Sequence, residues 1–203
     1  MSPSPSEGTS PWVRLRSTVI DRVVALVLLP LLAPVVAVLG WRVRRADGGP
    51  PLIGLQRIGR DGAPFTMWKL RSMVRDADER MEDYLAAHPE ARLEWDTTQK
   101  LKHDPRITPI GKVLRQTSLD ELPQLWNVLI GEMSLVGPRP IMLSQQVIYP
   151  GVAYYLLRPG CTGFWQTAGR NRTTFEARAE YDTAYEETLT LGTDLKILFN
   201  TIG

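Results

Sequence analysis

VVALVLLPLLAPVVAVLGW, residues 23–41, decides what kind of fold this chain can adopt. It is nineteen residues without a charge, about 28 Å long as a straight helix at 1.5 Å per residue. Length alone favours a spanning helix. Two features favour a different reading. Pro30 and Pro34 each remove a backbone donor and crowd the carbonyl four residues back, so the middle is expected to break or bend. Arginines flank both ends equally, Arg14, Arg16 and Arg22 before and Arg42, Arg44 and Arg45 after. The positive-inside rule then assigns no orientation, as expected when both ends stay on the cytoplasmic side. A re-entrant helical hairpin over 16–46 satisfies both observations. A single span and a cleaved signal peptide are the alternatives. The second is disfavoured by the length of the run, its prolines and the arginines that follow.

Outside this segment the charge is unevenly spread. The chain of 203 residues carries 24 Lys and Arg against 22 Asp and Glu. Residues 1–75 hold eleven basic residues against four acids, a balance of +7 that leaves −5 for the rest. A basic end around an apolar segment points to an anionic membrane surface. Nucleic acid is the weaker reading and is not expected as a partner, because no basic patch carries interleaved aromatics and no binding motif is present. Cys161 is the single cysteine, which rules out an internal disulfide and any paired-cysteine metal site. His88 and His103 have no ligand-type neighbours at metal spacing, and phosphate-loop, dinucleotide and serine-elbow patterns are absent.

The Ser/Pro-rich residues 1–15 are expected to be a disordered tail, and 47–203 a catalytic domain. Residues 52–57 and 64–70, separated by Gly59, Arg60, Asp61 and Gly62, predict a β-hairpin. Met73, Ala77, Met81, Tyr84 and Leu85 fall at helical spacing, with Pro89 as the stop, and a polar helical stretch follows over 90–102. Leu122, Leu125, Trp126 and Leu129 form one apolar face closed by Gly131. That face is either core-facing or lies on a bilayer with Trp126 at headgroup level. Thr173 and Glu176 make a capping box for a further helix.

The chemistry concentrates in SLDELPQLWNVLIGEMSLVGPRP, residues 118–140. Ser118 and Glu121 fit a capping box, but that register puts Pro123 where its missing N–H is needed. Asp120 as N-cap places Pro123 at the third position and both carboxylates at the positive end of the helix. Adjacent acids raise each other's pKa, and Arg115 with a bound cation would oppose this. Such a pair suits a carboxylate nucleophile beside a metal ligand. On the residues alone, capping and catalysis both stay open. Arg139, between Pro138 and Pro140, is presented on a backbone with two fixed φ angles.

These motifs, with RPGCTGFWQTAGRN (158–171) and DLKIL (194–198), closely resemble the bacterial sugar transferase family of monotopic phosphoglycosyl transferases. The resemblance covers residues 16–202. It implies an α-rich α+β fold with a re-entrant membrane helix, a short β-hairpin and amphipathic interfacial helices. It implies transfer of a sugar 1-phosphate from a UDP-sugar to undecaprenyl phosphate on the cytoplasmic face of the bacterial inner membrane, releasing UMP. It further implies that Asp120 is the nucleophile, Glu121 with Asp120 holds Mg2+, and Arg71, Arg115, Arg139, Arg170 and Asp182 bind substrate. A homodimer is compatible with it. Residues 76–106 look like the hexose-phosphate branch. Many members of that branch carry a further four-helix membrane portion, which is not expected within these 203 residues. Two departures stand out: Ala33 precedes Pro34 where the family usually has serine, and Cys161 stands where it usually has an apolar residue. An ordinary solvated helix face is the alternative for Asp182. Two other functions stay open, a non-catalytic membrane module that recruits glycan enzymes and a phosphohydrolase of nucleotide sugars using aspartyl chemistry.

Overall fold

The computed structural model describes residues 19–98, 101–168, 175 and 177–202. In chain order it forms α1 (Asp21–Asp47), β1 (Leu52–Ile58), β2 (Pro64–Leu70), α2 (Ala77–Ala87), α3 (Pro89–Thr98), α4 (Pro109–Thr117) and α5 (Gln124–Ile130). These are followed by β3 (Ser134–Val136), α6 (Ala153–Leu156), β4 (Gly160–Thr162), α7 (Phe164–Ala168), α8 (Ala177–Glu187) and α9 (Leu191–Ile202). Single 3-10 turns lie at Arg60–Gly62 and Leu119–Glu121, and a longer one at Leu143–Ile148. The fold is thus the α-rich α+β arrangement with one hairpin that the sequence predicts. The predicted tail over 1–15 and the Thr173–Glu176 capping box lie outside the described residues.

Helix α1 runs unbroken through both prolines. Each proline removes only one bond, leaving the carbonyls of Leu26 and Pro30 without their helical donors, so the interruption expected there does not occur as a loss of helix. Among the described residues it is the one helix long and apolar enough to cross a membrane. Val23, Leu26, Val27, Leu31, Val38 and Trp41 are each more than half exposed along it. A protein core would cover such residues, and water penalises them by about 25 cal/mol for each Å² left bare. This surface marks the chain as membrane-associated.

The chain divides into two compact units, one of residues up to 32 with 54–68 and 123–203, the other of 33–53 and 69–122. In the second, Val43, Leu70 and Leu114 form one cluster, and Met81, Leu85 and Ala91 another. Met81 and Leu85 are therefore core residues, as their helical spacing suggests. Met73 is not part of that helix: it bridges Ile107 as an isolated β contact. Pro89 opens α3, since a first-turn proline loses no bond. Thr108 caps α4, its hydroxyl accepting from Gly111 N at 2.9 Å. A Cβ on Gly111 would overlap the Ser72 backbone, so only glycine permits this approach.

In the first unit, β3 and β4 pair in parallel with Ser134 opposite Gly160 and Val136 opposite Thr162. Phe65, Met67, Val128 and Met133 pack with Ala25 of α1. Val136, Leu157, Tyr185, Leu189 and Ile197 make a second core, and Ile58, Ile141, Tyr149, Tyr154 and Ala179 a third. On α5, Leu125 and Val128 face inward while Trp126 and Ile130 remain exposed, so neither reading of that stripe alone describes it. Leu191, Leu195 and Phe199, four residues apart on α9, form a similar bare stripe.

Candidate active site

The acid pair sits in the short link between two helices. Helix α4 ends at Ser118 in the left-handed region (φ 55°), its N–H donating to Leu114 O. Left-handed backbone at a serine costs roughly 1 kcal/mol, and it sends the chain directly into the 3-10 turn that carries Asp120 and Glu121. Helix α5 starts only at Gln124, with Pro123 as its N-cap. The expected capping by Asp120 is therefore corrected, as is the Ser118 box, because neither side chain caps. The physical reason is that Pro123 supplies the turn into α5 by its fixed φ. Both carboxylates are thereby released for other contacts.

What holds them is a lysine from β2. Lys69 Nζ lies 2.7 Å from Glu121 Oε1 and 3.7 Å from Asp120 Oδ2. Asp120 is only 8% exposed. Burial raises its pKa, Lys69 opposes that, Glu121 adds to it, and Arg115 opposes more weakly. The helix-end field expected to keep Asp120 ionised is thus replaced by a lysine contact, while Arg115 acts as foreseen. Two hard carboxylates suit a divalent cation such as Mg2+, which is commonly held by one or two carboxylates and substrate phosphates. In this structure the positive charge beside both acids is the Lys69 ammonium. No cluster of three or more acid, His or Cys ligands occurs among the described residues, so water and phosphate oxygens would complete the shell.

Arg71, two residues beyond Lys69, has its donors committed within the chain. Its Nη1 and Nη2 each meet an Asp47 carboxylate oxygen at 2.5 Å, and its Nε donates to Pro50 O at 2.8 Å. These bonds hold Asp47 at a pKa of about 2. Arg71 therefore fastens the base of the hairpin that presents Lys69.

The first unit gathers a separate group of side chains. Gly137 N donates to Thr162 O and Gly160 N to Pro138 O, at 2.9 and 2.8 Å. A Cβ on Gly137, Gly160 or Gly163 would overlap opposing backbone, so the GPRP and RPGCTG motifs form one interlocked structure. It holds Arg139 in the open, with its guanidinium 5.8 Å from the Trp165 ring. Arg178 lies over the same ring at 4.2 Å and over Phe175 at 5.1 Å. Asp182 is buried, which excludes the solvated-face alternative, and it accepts from Tyr149 OH at 2.5 Å. Arg170 lies outside the described residues.

Burial lifts Asp182 to about 6, against the Tyr149 hydrogen bond and Arg178. Its folded pKa exceeds the usual carboxylate value near 3.9, so protonation stabilises the fold. That contribution is complete below about pH 4 and lost as pH rises through 6. Asp182→Asn is expected to gain about 2–3 kcal/mol of unfolding free energy over the parent between pH 4 and pH 7. Urea unfolding across that range checks this, and parallel pH curves would contradict it.

Sequence reasoning missed Lys69, Arg178, Trp165 and Tyr149. Lys69 carried a signal, a cation in the strand segment beside Arg71. The others come together only through contacts spanning the chain.

The chain belongs to the bacterial sugar transferase family, which it matches over residues 12–203. It is 50% identical over 185 residues to the UDP-galactose-lipid carrier transferase of Erwinia amylovora, covering 90% of this chain and 39% of that protein. It is 48% identical over 183 residues to the undecaprenyl-phosphate galactose phosphotransferase of Salmonella typhimurium, covering 89% and 38%. It is 43% identical over 184 residues to the exopolysaccharide production protein ExoY of Rhizobium meliloti, covering 90% and 81%. The chain thus spans about two fifths of the length of the first two relatives and four fifths of the third.

Proposed function

We propose that this chain transfers a hexose 1-phosphate from a UDP-hexose to undecaprenyl phosphate, the first step in building a lipid-linked glycan such as an exopolysaccharide. The relatives named for undecaprenyl-phosphate galactose transfer and exopolysaccharide production support the substrates. The observation that carries the chemistry is the buried Asp120 beside Glu121, both within reach of Lys69. Asp120 Oδ attacks the phosphorus bearing the sugar, and the bond from that phosphorus to the nucleotide's phosphate oxygen breaks, so UMP leaves. An oxygen of the lipid phosphate then attacks the same phosphorus, and the aspartyl oxygen departs with its electron pair, restoring Asp120. Splitting one displacement into two gives ping-pong kinetics. Glu121 and Asp120 would hold Mg2+, whose contribution when bound is to neutralise phosphate charge. Arg115, Arg139 and Arg170 bind phosphate oxygens in this reading, while Arg71 and Asp182 position their neighbours. The apolar surface of α1 seats the chain on the cytoplasmic face of the inner membrane.

Lys69 keeps Asp120 available as the carboxylate. Lys69→Gln is expected to lower kcat about a hundredfold with a smaller change in KM. Turnover within threefold of the parent would contradict that role. The proposal itself is tested on the full chain in nanodiscs with Mg2+, undecaprenyl phosphate, and UDP-glucose or UDP-galactose. Lipid-dependent UMP release is the expected result. No release from either donor, or release at the same rate without lipid, would overturn it.

A further inference from the structure

We infer that Arg139 and Arg178, gathered on Trp165, form with the neighbouring Arg57 a binding site for a phosphate or diphosphate group. This deepens the transferase reading and rests on it, since it assigns Arg57 and Arg178 to the anionic part of a substrate.

The three residues come from the end of β1, the GPRP turn and the start of α8. Arg139 and Arg178 both lie against the Trp165 ring. Arg139 is close enough to depress the pKa of both Arg57 and Arg178, after burial as the larger cause. Three guanidiniums repelling one another need a counter-charge. Among the described residues none of them forms a salt bridge, and Arg57 donates only to the Gln56 carbonyl, at 2.8 Å. Arg178 Nε is buried with no hydrogen-bond partner. Asp182, one helical turn along α8, is the nearest acid acting on Arg178, yet its Oδ2 is taken by the Tyr149 hydroxyl at 2.5 Å.

A half-buried, unpaired guanidinium destabilises a folded chain, and Arg57 and Arg178 are both half-buried, with the exposed Arg139 adding its charge beside them. The aromatic face fixes the Arg139 and Arg178 forks by cation–π contact, which orders donors without neutralising them. Ordered forks with unspent donors and a charge of up to +3 match the several oxygens of a phosphate or diphosphate better than a single carboxylate. Two substrates of the proposed reaction carry that chemistry, the nucleotide and the lipid phosphate.

The test uses the full chain in nanodiscs with Asp120→Asn, so that no turnover occurs. Sodium pyrophosphate is titrated against the parent and against Arg178→Met, Arg57→Met and the exposed α3 control Arg92→Met, reading affinity and thermal midpoint. Each cluster variant is expected to lose about tenfold in pyrophosphate affinity. Its anion-free midpoint should equal or exceed the parent's because repulsion is relieved, and Arg92→Met should match the parent. Competition by UDP assigns the site to the nucleotide, and competition by undecaprenyl phosphate to the lipid. Either result supports the proposal. Affinities within twofold of the parent, or a cluster variant that unfolds without anion, would overturn it. Lipid-dependent UMP release by the unsubstituted chain is measured separately, so failure of this site leaves the transferase reading standing.

Discussion

Asparagine at position 120 is expected to reduce lipid-dependent UMP release by at least about three orders of magnitude while leaving the fold as stable as the parent or more so. The two halves of this expectation have separate causes. The amide is isosteric with the carboxylate but cannot attack phosphorus. The buried Asp120 carboxylate has a raised pKa because burial and Glu121 disfavour its charge. A group whose folded pKa is raised costs stability at neutral pH, so a neutral replacement relieves the fold. Lys69 also pairs with Glu121, at 2.7 Å, and that contact does not depend on the Asp120 carboxylate. UMP release and the thermal midpoint, measured on one preparation, check both. Near-parent turnover would remove the nucleophile from the account. A collapse in midpoint with turnover lost would make Asp120 structural.

Asn127→Leu is expected to produce the largest stability loss, about 3–5 kcal/mol. Asn127 is fully buried. Its Nδ2 donates to Thr66 O at 2.7 Å and to Glu132 Oε2 at 2.6 Å, and its Oδ1 accepts from Trp68 N at 3.1 Å. Every polar atom of the side chain is used, joining β2 to α5. Leucine has the same branching but is bulkier, and it leaves the Trp68 N–H, the Thr66 carbonyl and a carboxylate oxygen, all partly buried, without this partner. Urea unfolding should show a lower midpoint at unchanged slope. A loss under 1 kcal/mol would mean that the network relaxes.

Much of the fold was legible because its signals are short-range. The GRDG turn between two alternating runs sets the hairpin, and Met81 and Leu85 carry the helical period of α2. The acid pair and the GPRP turn were legible as a motif. The start of α5 was not, because Ser118 takes a left-handed conformation that ordinary capping rules do not anticipate. Helix α1 keeps its register through Pro30 and Pro34, where counting lost bonds suggests a break. Arg71 entered as a substrate ligand only through the family resemblance, and its bonds to Asp47, 24 residues away, had no local signal. The Tyr149–Asp182 bond and the arginines on Trp165 depend on tertiary approach, and no local pattern announces them.

The central claim is that Asp120 carries the sugar phosphate between donor and acceptor. Its most direct test is peptide mass spectrometry after acid quenching of the full chain, incubated with Mg2+ and the active UDP-hexose without lipid. A hexose-phosphate adduct should map to Asp120 and disappear when undecaprenyl phosphate is added. Robust lipid-dependent UMP release with no adduct, or with an adduct on another residue, would contradict it.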